Sequence, residues 1–147
     1  MLLVSSSGGV LLEPLALRPW WEVHKAWWAA VRAPDTEQAL AGQDVHWITE
    51  QSAARPVRLA LATLCAVRLL AARRPDVVLS AGSGAAVPFF LAARLLRVPA
   101  VWIETLNVIG RPGVAARCCA RLAAAVLVQH EELVATRPRA VLVGELY

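Results

Sequence analysis

"LLVSSSGGVLLE", Leu2–Glu13, is the stretch that decides the fold. An apolar run with no polar face stops at three serines and two glycines, and apolar positions then resume at helical spacing. A strand that is apolar on both faces belongs in a parallel sheet covered on both sides. The turn after it has the size of a phosphate, and the helix beyond offers N–H donors and the positive end of its dipole. Glycine permits close backbone approach there, and the serines add hydroxyl donors. The same order recurs in "DVVLSAGSGAAVPFFLAARLL", residues 76–96: apolar strand, Gly-Ser-Gly, helix.

Working outward, short apolar runs alternate with helical stretches along the whole chain. Strands are predicted over 1–6, 25–31, 44–49, 76–81, 99–104, 124–129 and 140–143. Helices are predicted over 10–22, from Pro34 to about Leu40 with Gly42 as the stop, 56–74, 85–97, 114–122 and a short turn at 130–135. The alternation predicts an α/β domain, a doubly wound parallel sheet of the Rossmann-like kind, with right-handed crossovers. In the order 3-2-1-4-5, strands one and four are neighbours, and the winding reverses between them. Their carboxyl ends flank the topological switch point, where ligands bind in such sheets. Ser6, Ser7, Gly8 and Gly9 on one side and Gly82, Ser83 and Gly84 on the other are therefore the candidate anion cradle. Two loops side by side suit a pyrophosphate. The first loop is not a Walker A, because no GK[ST] follows, and it is not G-x-G-x-x-G. The acidic residue nearest to the place that a dinucleotide ribose would need is Asp35.

Composition narrows the classes. The chain has 147 residues, 58% hydrophobic and 18% charged, which excludes a disordered chain. Six tryptophans against two phenylalanines favour an interface. The net charge is +4, which fits phosphate, nucleic acid or an acidic membrane face. Cys65, Cys118 and Cys119 form neither a disulfide framework nor a metal motif, so reduced thiols are expected. No metal or cofactor motif is present, and no stretch reads as a signal peptide or a membrane span. Among the acids, Glu13 lies one turn past Gly9, and Glu104 ends the fifth strand at the same carboxyl edge. A carboxylate there has either a chemical task or a hydrogen-bonding one, and the sequence leaves both open. His24, His46 and His130 have no partner at useful spacing.

The stretches "LLVSSSGGV", "RPDVVLSAGSGAAVPFFLAARLL", "VWIET" and "VLVQHEEL" resemble the acceptor-side half of two-subunit sugar transferases. That family includes the anchoring subunit of the eukaryotic dolichol-linked N-acetylglucosaminyltransferase and bacterial capsule and exopolysaccharide subunits. It is more distantly similar to the N-terminal domain of the enzyme that glycosylates the undecaprenyl-linked peptidoglycan precursor. The resemblance implies the N-terminal half of a GT-B glycosyltransferase over residues 1–147, active with a partner in polysaccharide biosynthesis. It would bind a polyprenyl-pyrophosphate-linked sugar at the cytoplasmic face of the membrane. A second Rossmann-like subunit would bind the UDP-sugar, and the chain's stop at Tyr147 agrees with that expectation. No cofactor and no nucleic acid would be needed. Carried over by position, Thr105 and Gln129 join the glycine loops as substrate contacts, and Glu13 and Glu104 are the candidate catalytic acids. The family pattern has Gly-Gly-His after the first strand, and this chain has Val10 at the third position. An isopropyl group accepts no proton, so a carboxylate must serve or the chain only recruits a catalytic partner. A nucleotide-binding Rossmann oxidoreductase is the remaining reading, disfavoured by the missing fingerprint. Phe89, Phe90, Arg94 and Arg97 are expected to contact the membrane, as an apolar helix edged with arginine suits an anionic leaflet.

Overall fold

The computed structural model describes residues 1–49, 55–104, 113–137 and 139–144. In chain order the elements are β1 (Leu2–Ser5), α1 (Gly9–Ala16), α2 (Arg18–Trp21), β2 (Trp27–Val31), α3 (Pro34–Ala39), β3 (Val45–Ile48) and α4 (Pro56–Arg73). They continue with β4 (Val78–Ser80), α5 (Ala86–Leu96), β5 (Ala100–Ile103), α6 (Val114–Leu122), β6 (Ala125–Val128), α7 (Glu131–Val134) and β7 (Ala140–Leu142). The seven strands form one sheet in the order β3-β2-β1-β4-β5-β6-β7, and every pairing is parallel. The doubly wound α/β class and the central 3-2-1-4-5 order expected from the sequence are what the chain adopts.

All four residues of β1 are buried, as are the first four of β2 and all three of β4. This is why they read as continuous apolar runs. Alternate side chains feed two cores, one on each face of the sheet. On one face Leu2, Val4 and Val78 meet α4, α5 and α6; on the other Leu3, Trp28 and Leu79 meet α1 and α2. Trp21 and Trp28 stand edge to face at 5.4 Å in the second core.

The helix predicted over 10–22 is two helices that break at Leu17. Pro14 lies inside α1 and Pro19 opens α2. A proline nitrogen cannot donate to the carbonyl four residues back, so a continuous helix is costly there. The carbonyl of Pro14 is instead capped by the buried indole N–H of Trp21, at 2.7 Å.

Helix α5 is central on its face, flanked by α4 and α6, and seven of its eleven residues are buried. This corrects the membrane expectation for Phe89 and Phe90. Both rings fill the core: Phe90 is wholly buried and stands edge to face with Trp102 at 5.8 Å. Arg94 and Arg97 are exposed, but α5 starts at the carboxyl edge of the sheet and runs away from it. The two arginines therefore lie at the amino edge, remote from the glycine loops. Arg73 of α4 is exposed, paired with Asp44 and stacked over Trp27.

Candidate functional site

The two glycine loops meet where the topology requires. Ser6–Gly9 joins β1 to α1, Gly82–Gly84 joins β4 to α5, and β1 and β4 are hydrogen-bonded neighbours. A cavity of about 280 Å³ lies against the second loop, walled by Gly82, Ser83 and Gly84, by Val10 of α1, by Trp102 and Glu104, and by Gly113 and Ala116 at the start of α6; Ser6–Gly9 do not line it. The two helix starts differ from a bare N-terminus: at α5 the N–H groups of Ala85, Ala86 and Val87 donate to Ser83 Oγ and to the Ser83 and Gly84 carbonyls, and at α1 the Leu11 N–H donates to the Gly8 carbonyl.

Each loop is held differently. In the first, the hydroxyls of Ser5 and Ser6 donate to the next residue's carbonyl, at 3.0 and 3.4 Å. Gly8 has φ +77°, which a side chain tolerates poorly. Its N–H donates to Asp35 Oδ2 at 2.8 Å. That bond is the main reason that the Asp35 carboxyl titrates below its ordinary range. An internal carboxylate thus occupies one donor of the loop expected to take a phosphate. In the second loop, Ser80 Oγ donates to the Gly82 carbonyl at 2.9 Å, and Ser83 Oγ accepts the Ala85 N–H at 3.0 Å. Gly82 and Ser83 both have positive φ, 138° and 86°. Ser83 holds this strained conformation while its side chain caps the start of α5.

The two candidate carboxylates are not equivalent, and neither is placed as a free base. Glu13 is buried, 3% exposed, on α1 and does not line the cavity. Glu104 does line it, but its Oε1 accepts from Arg137 Nε and Nη2 at 3.2 and 3.0 Å, and its Oε2 from the Trp102 indole at 3.1 Å. The pair is buried, with side-chain exposures of 10% for Arg137 and 1% for Glu104. Both carboxylate oxygens of Glu104 thus have donors in place, and the ion pair ties the end of β5 to Arg137. Gln129 donates to the Glu104 carbonyl at 3.3 Å, so its amide shapes the same strand end. Thr105 lies outside the described residues.

Asp35 and Arg137 are the residues whose roles at this edge the sequence did not reveal. Asp35 could have been found, because the strand order puts the loop after β2 beside the loop after β1. Arg137 is 33 residues from Glu104, and no local pattern links them. Val10, in the first turn of α1, lines the cavity with an apolar side chain. Cys119 is buried, and its thiol is pushed up by burial; it is a core residue.

No family model matches the chain. A 59-residue stretch, 40% of this chain, is 49% identical to the UDP-N-acetylglucosamine--N-acetylmuramyl-(pentapeptide) pyrophosphoryl-undecaprenol N-acetylglucosamine transferase of Symbiobacterium thermophilum, covering 15% of that relative. MurG of Acinetobacter baumannii superposes over 86% of this chain and 40% of its own, with a TM-score of 0.72 and 23% identity. The UDP-N-acetylglucosamine 2-epimerase of Rickettsia bellii superposes over 99% of this chain and 44% of its own, with a TM-score of 0.74 and 13% identity. The chain therefore spans less than half the length of each of these proteins. It is a partial homologue of the first, and it shares the architecture of one Rossmann-like half of a GT-B fold with the others.

Proposed function

We propose that this chain is the acceptor-side half of a glycosyltransferase that acts on a polyprenyl-pyrophosphate-linked sugar, the UDP-sugar being bound by a second Rossmann-like polypeptide. The observation that carries the reading is the cavity at the switch point, walled by the Gly82–Gly84 loop, by Val10 of the helix that follows the first glycine loop, and by Glu104. Helix starts and backbone N–H groups suit a diphosphate without a metal-binding side chain. The partial identity with a transferase for a lipid-linked acceptor supports the same substrate class. The work takes place at a membrane surface on the cytoplasmic side. No helix among the described residues is long and apolar enough to cross a membrane. The outward face of α4 carries Val57, Leu61 and Leu64, exposed at spacings of four and three residues, which suits peripheral contact.

A second reading, a non-catalytic subunit that recruits a catalytic partner, is favoured by a specific observation. The cavity has Val10 where a proton acceptor would help, and its one carboxylate, Glu104, is ion-paired. The test is transfer from a UDP-sugar to a polyprenyl-pyrophosphate-linked sugar, with the chain combined with a candidate donor-binding subunit. Turnover should require both polypeptides, and this chain alone should bind no UDP-sugar in calorimetry. Val10→His should raise kcat by up to about 10²–10⁴-fold, the usual worth of a general base. Turnover that is unchanged by Val10→His leaves the base on the partner. Tight UDP-sugar binding by this chain alone would overturn the proposed division of labour.

A further inference from the structure

A second concavity, about 590 Å³, lies away from the glycine loops, between the edge strand β3 and α4. It exists because β3 is paired on one side only and none of its four residues is fully buried. Over it, α4 buries only Ala66 and Leu70 and packs sideways against α5, so the space beside β3 is left uncovered. One wall is Ile48; the other is a stripe of α4, Arg58, Leu61, Cys65 and Leu69, with Phe89 beneath. The spacings of three and four residues put that stripe on one helix face. From Arg58 to Leu69 it runs about 16 Å along the axis.

The lining is largely apolar, with His46 and Thr49 on the β3 side and Arg58 on the α4 side as its polar members. Arg58 is in the first turn of α4, at the carboxyl edge that also carries the glycine loops. Among the described residues no carboxylate pairs with its guanidinium. An unpaired cation at the mouth of an apolar trough suits an amphiphile with one anionic end and one hydrocarbon chain. The volume is within the ~300–1,000 Å³ of ordinary ligand sites. Leu61 is both a groove wall and, with Val57 and Leu64, part of the exposed apolar face of α4. A chain leaving the groove past Leu61 therefore meets the exposed apolar side chains of Val57 and Leu64. From this we infer that the groove binds the phosphate-proximal isoprene units of a polyprenyl phosphate, with Arg58 on the phosphate side. The inference rests on the acceptor reading above for its choice of lipid, and it assigns that lipid's chain a seat on the protein.

Cys65 supplies the test, because its thiol is exposed on the groove wall whereas Cys119 is buried. Farnesyl phosphate should slow maleimide labelling of Cys65 in the 147-residue chain severalfold, with the labelled site located by peptide mass mapping. Inorganic phosphate and farnesol at equal concentration should protect much less. Arg58→Ala, an exposed change that leaves the core intact, should reduce protection by farnesyl phosphate to the farnesol level. Ala62→Trp, which fills the trough from a half-exposed position, should abolish it. Protection as strong from a dispersed diacylglycerol phosphate would overturn the prenyl assignment in favour of a general anionic lipid. Absence of protection by farnesyl phosphate, with the circular dichroism unchanged, would overturn the groove altogether. The readout needs no donor sugar and no second subunit, so a failed transferase assay leaves it intact, and its own failure leaves the transferase reading standing.

Discussion

The two glycine loops have the same outline and different means of support. The first is exposed at the rim and is tied to another part of the chain, through the bond from Gly8 N–H to Asp35. The second is recessed and supports itself, with Ser80 and Ser83 bonded to its own backbone. A self-supported loop is in place before any ligand arrives, with the N–H groups of Ala85, Ala86 and Val87 behind it bonded to Ser83 and Gly84. A loop held by a distant carboxylate has an anion in one of its donor positions already. The second loop is therefore the better-prepared half of the cradle, and the first is the half that a ligand would have to rearrange. The wall of the cavity repeats the contrast: Val10, in the helix that follows the first loop, offers no polar group, and Glu104 beside the second loop is fixed by Arg137.

The largest expected effect is on the fixed side. Glu104→Ala leaves Arg137 buried beside an empty site, and breaking a buried pair costs about 3–5 kcal/mol. For a domain of this size the melting temperature should fall by roughly 10 °C. Glu104→Gln keeps an acceptor for the Trp102 indole and should cost less. Thermal melts of both variants check this. A stable Glu104→Ala protein that has lost transfer activity would mean that Glu104 is chemical after all and the recessed loop is not merely scaffold.

A smaller effect separates the two glycines of the first loop. A Cβ built on either would meet no protein atom within 4 Å. Gly8 has φ +77° and Gly9 does not lie in that region, so only Gly8→Ala is strained, by about 1–2 kcal/mol. Gly9→Ala, at the start of α1, should be neutral or stabilising by up to about 1 kcal/mol. Its added methyl still stands in the open space in front of the loop. If a pyrophosphate uses this loop, Gly9→Ala raises the acceptor KM in a protein that melts no lower than the wild type. An unchanged KM would leave the second loop as the sole cradle.

The sheet was legible because its strands are buried on both faces and its helices lie between them in strict alternation. That alternation fixes the neighbours of β1, and hence the meeting of the two loops. The sequence predicts one helix over 10–22 because apolar spacing continues across the break at Leu17, just before Pro19. Phe89 and Phe90 were misplaced for a different reason. An apolar pair edged by arginines looks the same on an outer helix and on one packed between α4 and α6, and only the tertiary order distinguishes them. The Glu104–Arg137 pair was beyond reach, since a contact across 33 residues leaves no periodic trace. The groove beside β3 was hidden too, because a space is set by where α4 lies and not by which residues it carries.

The smallest expected effect tests what holds the exposed loop. Asp35 titrates below the ordinary carboxylate range, chiefly because its charged form accepts the Gly8 N–H. A carboxylate whose folded pKa is lowered adds stability above its unfolded pKa, about 3.9, and that stability is lost as pH falls through the lower folded value. Asp35→Asn keeps an acceptor oxygen and removes the charge. The wild type should therefore melt slightly above the variant at pH 7, and the gap should close as pH falls below about 4. Asp35 is fully exposed, so salt should narrow the gap as well. Paired melting curves across pH and ionic strength read this directly. A gap that is unchanged from pH 7 down to pH 3 would show that the side chain's shape, not its charge, holds Gly8. The first loop's support would then be as independent of charge as the second's, although at neutral pH an incoming phosphate would still meet the Asp35 carboxylate.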